Sequence, residues 1–138
     1  MEKANSAKLT ALEQQLDAAM SKFNEFYTAP ESEIQKVASV QAFEFTYELA
    51  WKYLREALKA TNQEYFSSPK AVFKVAGKVN ILTKQQVEKW IDYTKLRNLT
   101  VHMYSADVAD EIFSSISNFV RDVEQLRHAI SRYTEVAL

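Results

Sequence analysis

Arg97, Asn98, His102 and Tyr104 fall within eight consecutive residues, in the stretch KLRNLTVHMY. A guanidinium is permanently charged and grips phosphate through two parallel hydrogen bonds, and an imidazole titrates near neutrality. With His102 as general acid or base and Arg97 as phosphate clamp, such a set is sufficient for attack of an RNA 2′-hydroxyl on its phosphate without a metal. A second charged group lies upstream, where Glu44 and Glu48 stand four apart among Phe43, Phe45, Tyr47 and Trp51. Carboxylates among aromatics need partners, because desolvating an unpaired charge is costly. Arg97, Arg55 or a lysine could supply one. The spacing admits a salt bridge that orients Arg97, or a paired-carboxylate acid/base site. It equally admits a buried polar knot in which Arg97 is neutralised and His102 is satisfied near its helix end.

The elements that must position these residues are helices. One Gly and two Pro in 138 residues leave too few turn formers for a strand-rich fold. Leu9, Leu12, Leu16, Ala19, Phe23 and Phe26 step by three and four. Ile112, Ile116, Phe119, Val123, Leu126, Ile130 and Tyr133 do the same, with Ser105 as N-cap. Between them a helix is expected to start just after Pro30 and Glu31, with Val40, Phe43, Tyr47 and Leu54 on one stripe and Gln41, Glu44, Glu48 and Trp51 on another. Ser68 and Pro69 open a short helix that Gly77 ends, and Thr83 with Gln86 forms a capping box for a helix running through KLRNLTVHMY. Residues 62–68 form the one loose connection. The sum is an all-α, up-and-down antiparallel four-helix bundle with one short extra crossover helix.

On a continuous helix turning about 100° per residue, Asn98 and His102 are close enough to touch, and Arg97 and Tyr104 share one face. Leu96, Leu99 and Met103 take the core side. Arg97 and His102 point about 140° apart, so a single helix does not focus them on one atom. A second copy across a two-fold axis could close the gap.

Composition excludes much else. Seventeen basic against eighteen acidic residues leave a net charge of −1, so any RNA contact must come from a local patch. The absence of Cys removes thiol catalysis and disulfides. One glycine cannot build a Walker loop or a dinucleotide-binding turn. No Asp-x-Asp or His-Glu-x-x-His pattern is present, and His128 reads as a solvated residue near a helix end, so no metal site and no cofactor is expected. The N-terminal residues lack a signal-peptide h-region and no apolar run is long enough to span a bilayer, which suggests a cytoplasmic location.

"QAFEFTYELAWKYLREAL", "SSPKAVFKVA" and "RNLTVHMYSADVADEIF", in this order, resemble the HEPN superfamily. The similarity is to its nucleotidyltransferase substrate-binding branch, which includes HepT-like toxins, and it extends over roughly residues 9 to 130. The motif is Arg, four residues, His, one residue, Tyr, matched by Arg97, His102 and Tyr104, with the favoured polar residue supplied by Asn98. The resemblance implies one HEPN-like domain over residues 1–138 and a homodimer whose motif faces meet at the two-fold axis. It also implies a neighbouring-gene partner, a minimal polymerase-beta-like nucleotidyltransferase. Two roles follow. In one, the dimer is a metal-independent endoribonuclease toxin, with Arg97, Asn98 and His102 catalytic, Glu44, Glu48 and Trp51 in support, and Tyr104 carrying AMP added by the partner. In the other, the chain is a non-catalytic subunit that binds the RNA or nucleotide substrate of the partner.

Overall fold

The computed structural model describes residues 2–28, 32–61 and 68–138, with side chains from Ser6 onward. Its helices are α1 (Glu2–Tyr27), α2 (Glu33–Ala60), α3 (Pro69–Lys78), α4 (Lys84–Leu99), α5 (Ala106–Ser114) and α6 (Phe119–Ala137), with a 3₁₀ turn at Thr100–His102. Side-chain bonds set their directions. Gln35 Nε2 donates to the Phe26 carbonyl, Thr46 to that of Ala19, and the Tyr53 hydroxyl to Glu13, so α1 and α2 are antiparallel. Glu44 meets Thr100 while Tyr47 meets Thr94, so α4 runs against α2. Arg127 on Asp17 and Phe119 against Phe23 turn α6 against α1. The bundle is all-α, as the stripes predict.

Each stripe buries a face. Leu16, Phe23, Val40, Phe43, Tyr47, Leu54, Ile112, Ile116, Phe119, Val123 and Ile130 are buried, while Phe26 is half-buried. Aromatic rings lock the centre: Phe43 meets Phe119 edge to face at 4.7 Å, and Phe73 stacks on Trp90 at 5.2 Å.

Two boundaries differ from expectation, and two touch residues outside those described. Pro30 and Glu31 lie outside the described residues, and α2 starts just after them as expected, with Ser32 and Gln35 in a reciprocal capping box ahead of Glu33. Of the loose 62–68 connection, residues 62–67 also lie outside, and Ser68 caps α3 by accepting from the Ala71 N–H. Gly77 sits inside α3 instead of ending it, and the reversal falls on Asn80, at φ 64°. A Cβ on Gly77 would lie 2.9 Å from Val87 Cγ2, so this glycine lets α3 and α4 approach closely. The final stripe is one buried face on two helices. Ser114 and Ser115 turn their hydroxyls back onto the Asp110 and Glu111 carbonyls, a competition with the helix that ends α5. Ser105 does take the N-cap position, without a side-chain hydrogen bond. His128 is exposed, but stands mid-way along α6 and not near its end.

Three phenols are held neutral by burial. Burial pushes Tyr47 up to about 12, and Tyr53 and Tyr93 are raised further, each by burial together with the carboxylate that accepts its hydrogen bond, Glu13 and Asp122. Thr94 Oγ1 donates to the Trp90 carbonyl, so the Tyr47 hydroxyl must donate to Thr94. Unfolded phenols ionise near pH 10, so above that pH the unfolded chain binds fewer protons than the folded one and stability falls. For Tyr47 alone the loss should reach about 2 kcal/mol by pH 12. Urea midpoints should be level from pH 8 to about 10 and drop beyond it; a midpoint that stays level to about pH 12 would contradict this burial.

Candidate functional site

The motif is built where α4 stops being an α-helix. Thr100 and Val101 are adjacent β-branched residues, poor helix formers. The Thr100 N–H donates to the Arg97 carbonyl, with the Thr100 hydroxyl oxygen 2.7 Å from the same carbonyl oxygen, and the following turn tightens to 3₁₀. The helical wheel drawn through KLRNLTVHMY therefore applies only as far as Leu99. Asn98 remains on α4, exposed, without a side-chain hydrogen bond among the described residues. His102 closes the 3₁₀ turn, and Tyr104 lies in the turn that follows.

This changes two expected neighbours. His102 pairs with Tyr104 and not with Asn98: its Nδ1 lies 3.3 Å from the phenol oxygen, and the rings meet edge to face at 5.9 Å. Tyr104 accordingly does not continue the Arg97 face. Both rings are exposed, Tyr104 at 84%.

The carboxylates of α2 hold the other half. Arg97 Nε donates to Glu48 Oε1 at 2.8 Å, and Trp51 Nε1 donates to Glu48 Oε2 at 3.0 Å, so both oxygens of one carboxylate are used. The Arg55 guanidinium lies over the Trp51 ring at 5.0 Å. Glu44 accepts a very short hydrogen bond from Thr100, and Arg97 Nη1 lies 3.5 Å from the same hydroxyl. Of the readings left open by spacing, the salt bridge that orients Arg97 is the one observed. Glu44 and Glu48 are both occupied and do not form a paired acid/base site. Arg97 spends its Nε edge on Glu48, while Nη2 has no partner among the described residues.

Thr100 and Thr94 were not legible as site residues. Thr100 is only 3% exposed, and its hydroxyl joins Arg97, Glu44 and the helix end. The one signal available was a β-branched pair interrupting a helical pattern. Thr100→Val keeps the shape and removes the donor, so Glu44 loses its partner at a cost of about 1–3 kcal/mol. Thr100→Ser should recover most of it. Urea unfolding measures both, and a Val variant as stable as wild type would remove the role given to this hydroxyl.

Among the described residues, no three His, Asp or Glu side chains are grouped as a metal site would require. No described helix is long and apolar enough to cross a membrane. An apolar groove of about 630 Å³ runs between α1 and α2, lined by Phe26, Ala38, Gln41, Ala42, Phe45 and Leu49 among others. Phe45 and Leu49 adjoin Glu44 and Glu48 in the chain, so the groove borders the motif.

Comparison with known proteins bears on the family and the fold. Residues 6–132 match the model of the family described as nucleotidyltransferase substrate binding protein like. A protein of Haemophilus influenzae named "Probable ribonuclease HepT" is 29% identical over 97 residues, which cover 64% of this chain and 65% of that protein. The match thus spans about two thirds of that relative's length. A crystal structure of a protein from Thermus thermophilus superposes with a TM-score of 0.78 at 28% identity, covering 83% of this chain and 98% of that one. With the family model matching nearly end to end, the chain belongs to the nucleotidyltransferase substrate binding protein-like family.

Proposed function

We propose that this chain is the toxin of a two-gene pair: a metal-independent, cytoplasmic endoribonuclease that works as a homodimer. In this reading a minimal polymerase-beta-like nucleotidyltransferase silences it by transferring AMP to Tyr104. The observation that carries the reading is the state of Arg97. Glu48 fixes the guanidinium through Nε and leaves Nη2 for a phosphate, while the exposed His102 stands on the adjoining turn with its imidazole reachable by substrate. The name of the Haemophilus relative supports the same chemistry.

The step is a transesterification. The 2′-oxygen bonds to the neighbouring phosphorus as its proton passes to His102, and the bond from phosphorus to the 5′-oxygen breaks. His102 of the second copy supplies the proton that the leaving oxygen needs. Arg97 neutralises charge gathering on the non-bridging oxygens, and Asn98 donates to the same phosphate. The products are a 2′,3′-cyclic phosphate and a 5′-hydroxyl. Two copies are required in this reading because the base and the acid are two imidazoles, and each copy supplies one His102. Exposed Val101, in the motif itself at 65%, and Phe45, next to Glu44 in the chain at 63%, offer apolar surface for that contact.

The test is incubation of the purified chain, without its partner, with single-stranded RNA in EDTA. Cleavage to ends of these two kinds is expected, from a particle that light scattering places at twice 15.9 kDa. No cleavage from a folded dimer would favour the substrate-binding subunit instead.

A further inference from the structure

The whole chain is slightly acidic, but the segment from Ser68 to Val87 is not. It contains Lys70, Lys74, Lys78 and Lys84 and no carboxylate, so with −1 for the whole chain the rest carries a net −5. All four lysines are exposed. Lys8, Lys36, Lys89, Arg97 and Arg127 are held by acidic side chains, whereas Lys22, Lys52 and Arg132 stand singly without one among the described residues. None of the segment's four lysines has such a partner among the described residues. A row of like charges that repel one another and bind nothing in the fold contributes nothing to stability.

The row also has a direction. Lys70, Lys74 and Lys78 are spaced i, i+4, i+8, so they line one edge of α3 with about 6 Å between successive positions. That step is comparable to the one between neighbouring phosphates of an extended strand. Gly77, which shares this edge, faces Val87, and Phe73 stacks on Trp90, so α3 and α4 form an antiparallel hairpin. Four residues back along α3 correspond to three forward along α4. Continuing that register brings Pro69 level with Tyr93, so the Lys70 end lies just over one turn short of Arg97 and Asn98, and exposed Lys95 stands between on α4. On α4, Glu88 shares the stripe of Lys84 and Lys95 and Asp92 lies one turn before Lys95, so that end of the surface carries both signs and the unopposed charge is the row on α3.

We propose that Lys70, Lys74, Lys78 and Lys84, with Lys95, form a phosphate-backbone track for single-stranded RNA that leads to Arg97 and Asn98. It rests on the ribonuclease reading and assigns the surface that grips substrate outside the cleavage site. The contacts are charge to phosphate, so the track does not read sequence.

The test uses the full chain with His102→Ala, which holds RNA without consuming it. Binding of a fluorescent oligouridylate is followed by anisotropy across a salt series, with and without Lys70→Ala, Lys74→Ala and Lys78→Ala together. Each phosphate contact contributes about 0.7 to the slope of log affinity against log salt for single strands. Removing three should therefore lower the slope by about 2 and weaken binding at least tenfold at low salt. Arg121→Ala with Arg132→Ala on α6 serves as the surface-charge control and should change little. Unchanged circular dichroism and melting show that α3 remains folded. If the parent binds RNA and the triple variant binds with the same slope, the track is wrong and the ribonuclease reading stands. If the parent binds no RNA, both fall. If the triple variant binds RNA normally but no longer binds the partner nucleotidyltransferase, the surface docks protein and the RNA assignment is overturned.

Discussion

His102→Ala is expected to lower RNA cleavage by about 10²- to 10⁴-fold, the usual contribution of a positioned acid/base group. Its imidazole is exposed and bonded to nothing deeper than the Tyr104 phenol, so the fold should not register its loss. Melting temperature and dimer mass should match wild type, and EDTA should change neither protein's rate. Affinity for uncleaved RNA should be nearly preserved, because the proton transfer is felt only in the transition state. A variant that cleaves at the wild-type rate would remove His102 from the chemistry. A wild type that EDTA stops would point to a metal step that the proposal does not contain.

The second large effect concerns Tyr104. Incubation with the partner nucleotidyltransferase, ATP and magnesium should add one or more AMP units to the chain and abolish cleavage. In the transfer, the phenol oxygen bonds to the α-phosphorus of ATP, pyrophosphate leaves, and the phenol proton passes to solvent or to His102 Nδ1, 3.3 Å away. The same 3.3 Å would account for silencing in the proposed mechanism. A nucleotide on that oxygen stands directly against the imidazole and adds negative charge where the RNA phosphate must enter. The gate acts on His102, not by lying along the Arg97 face as a continuous helix would have required. Tyr104→Phe should lose the mass increment and stay active in the presence of the partner. An increment that persists in Tyr104→Phe would move the modification elsewhere.

Sequence by itself determined that the chain is a helical bundle. Three- and four-residue apolar steps and a near-absence of Gly and Pro allow little else, and the stripes through Leu16 and Phe23, Val40 and Phe43, and Val123 and Ile130 are the buried faces. It also determined the α4 start, since the Thr83–Gln86 capping box needs only residues three apart. The motif residues were legible by type and order. Tertiary structure decided how they meet. Whether α4 continued past Leu99 depended on Thr100, whose hydroxyl bonds to Glu44, 56 residues away in the chain. Local propensity cannot foresee a partner that distant, so the wheel placed His102 beside Asn98 when the 3₁₀ turn places it beside Tyr104. Arg97 likewise had three plausible carboxylate arrangements from spacing, and packing of α4 on α2 selected one, Glu48, with Trp51 holding its second oxygen. Period and capping are short-range and can be read along a chain; which charge desolvates against which partner is settled only when two helices come together.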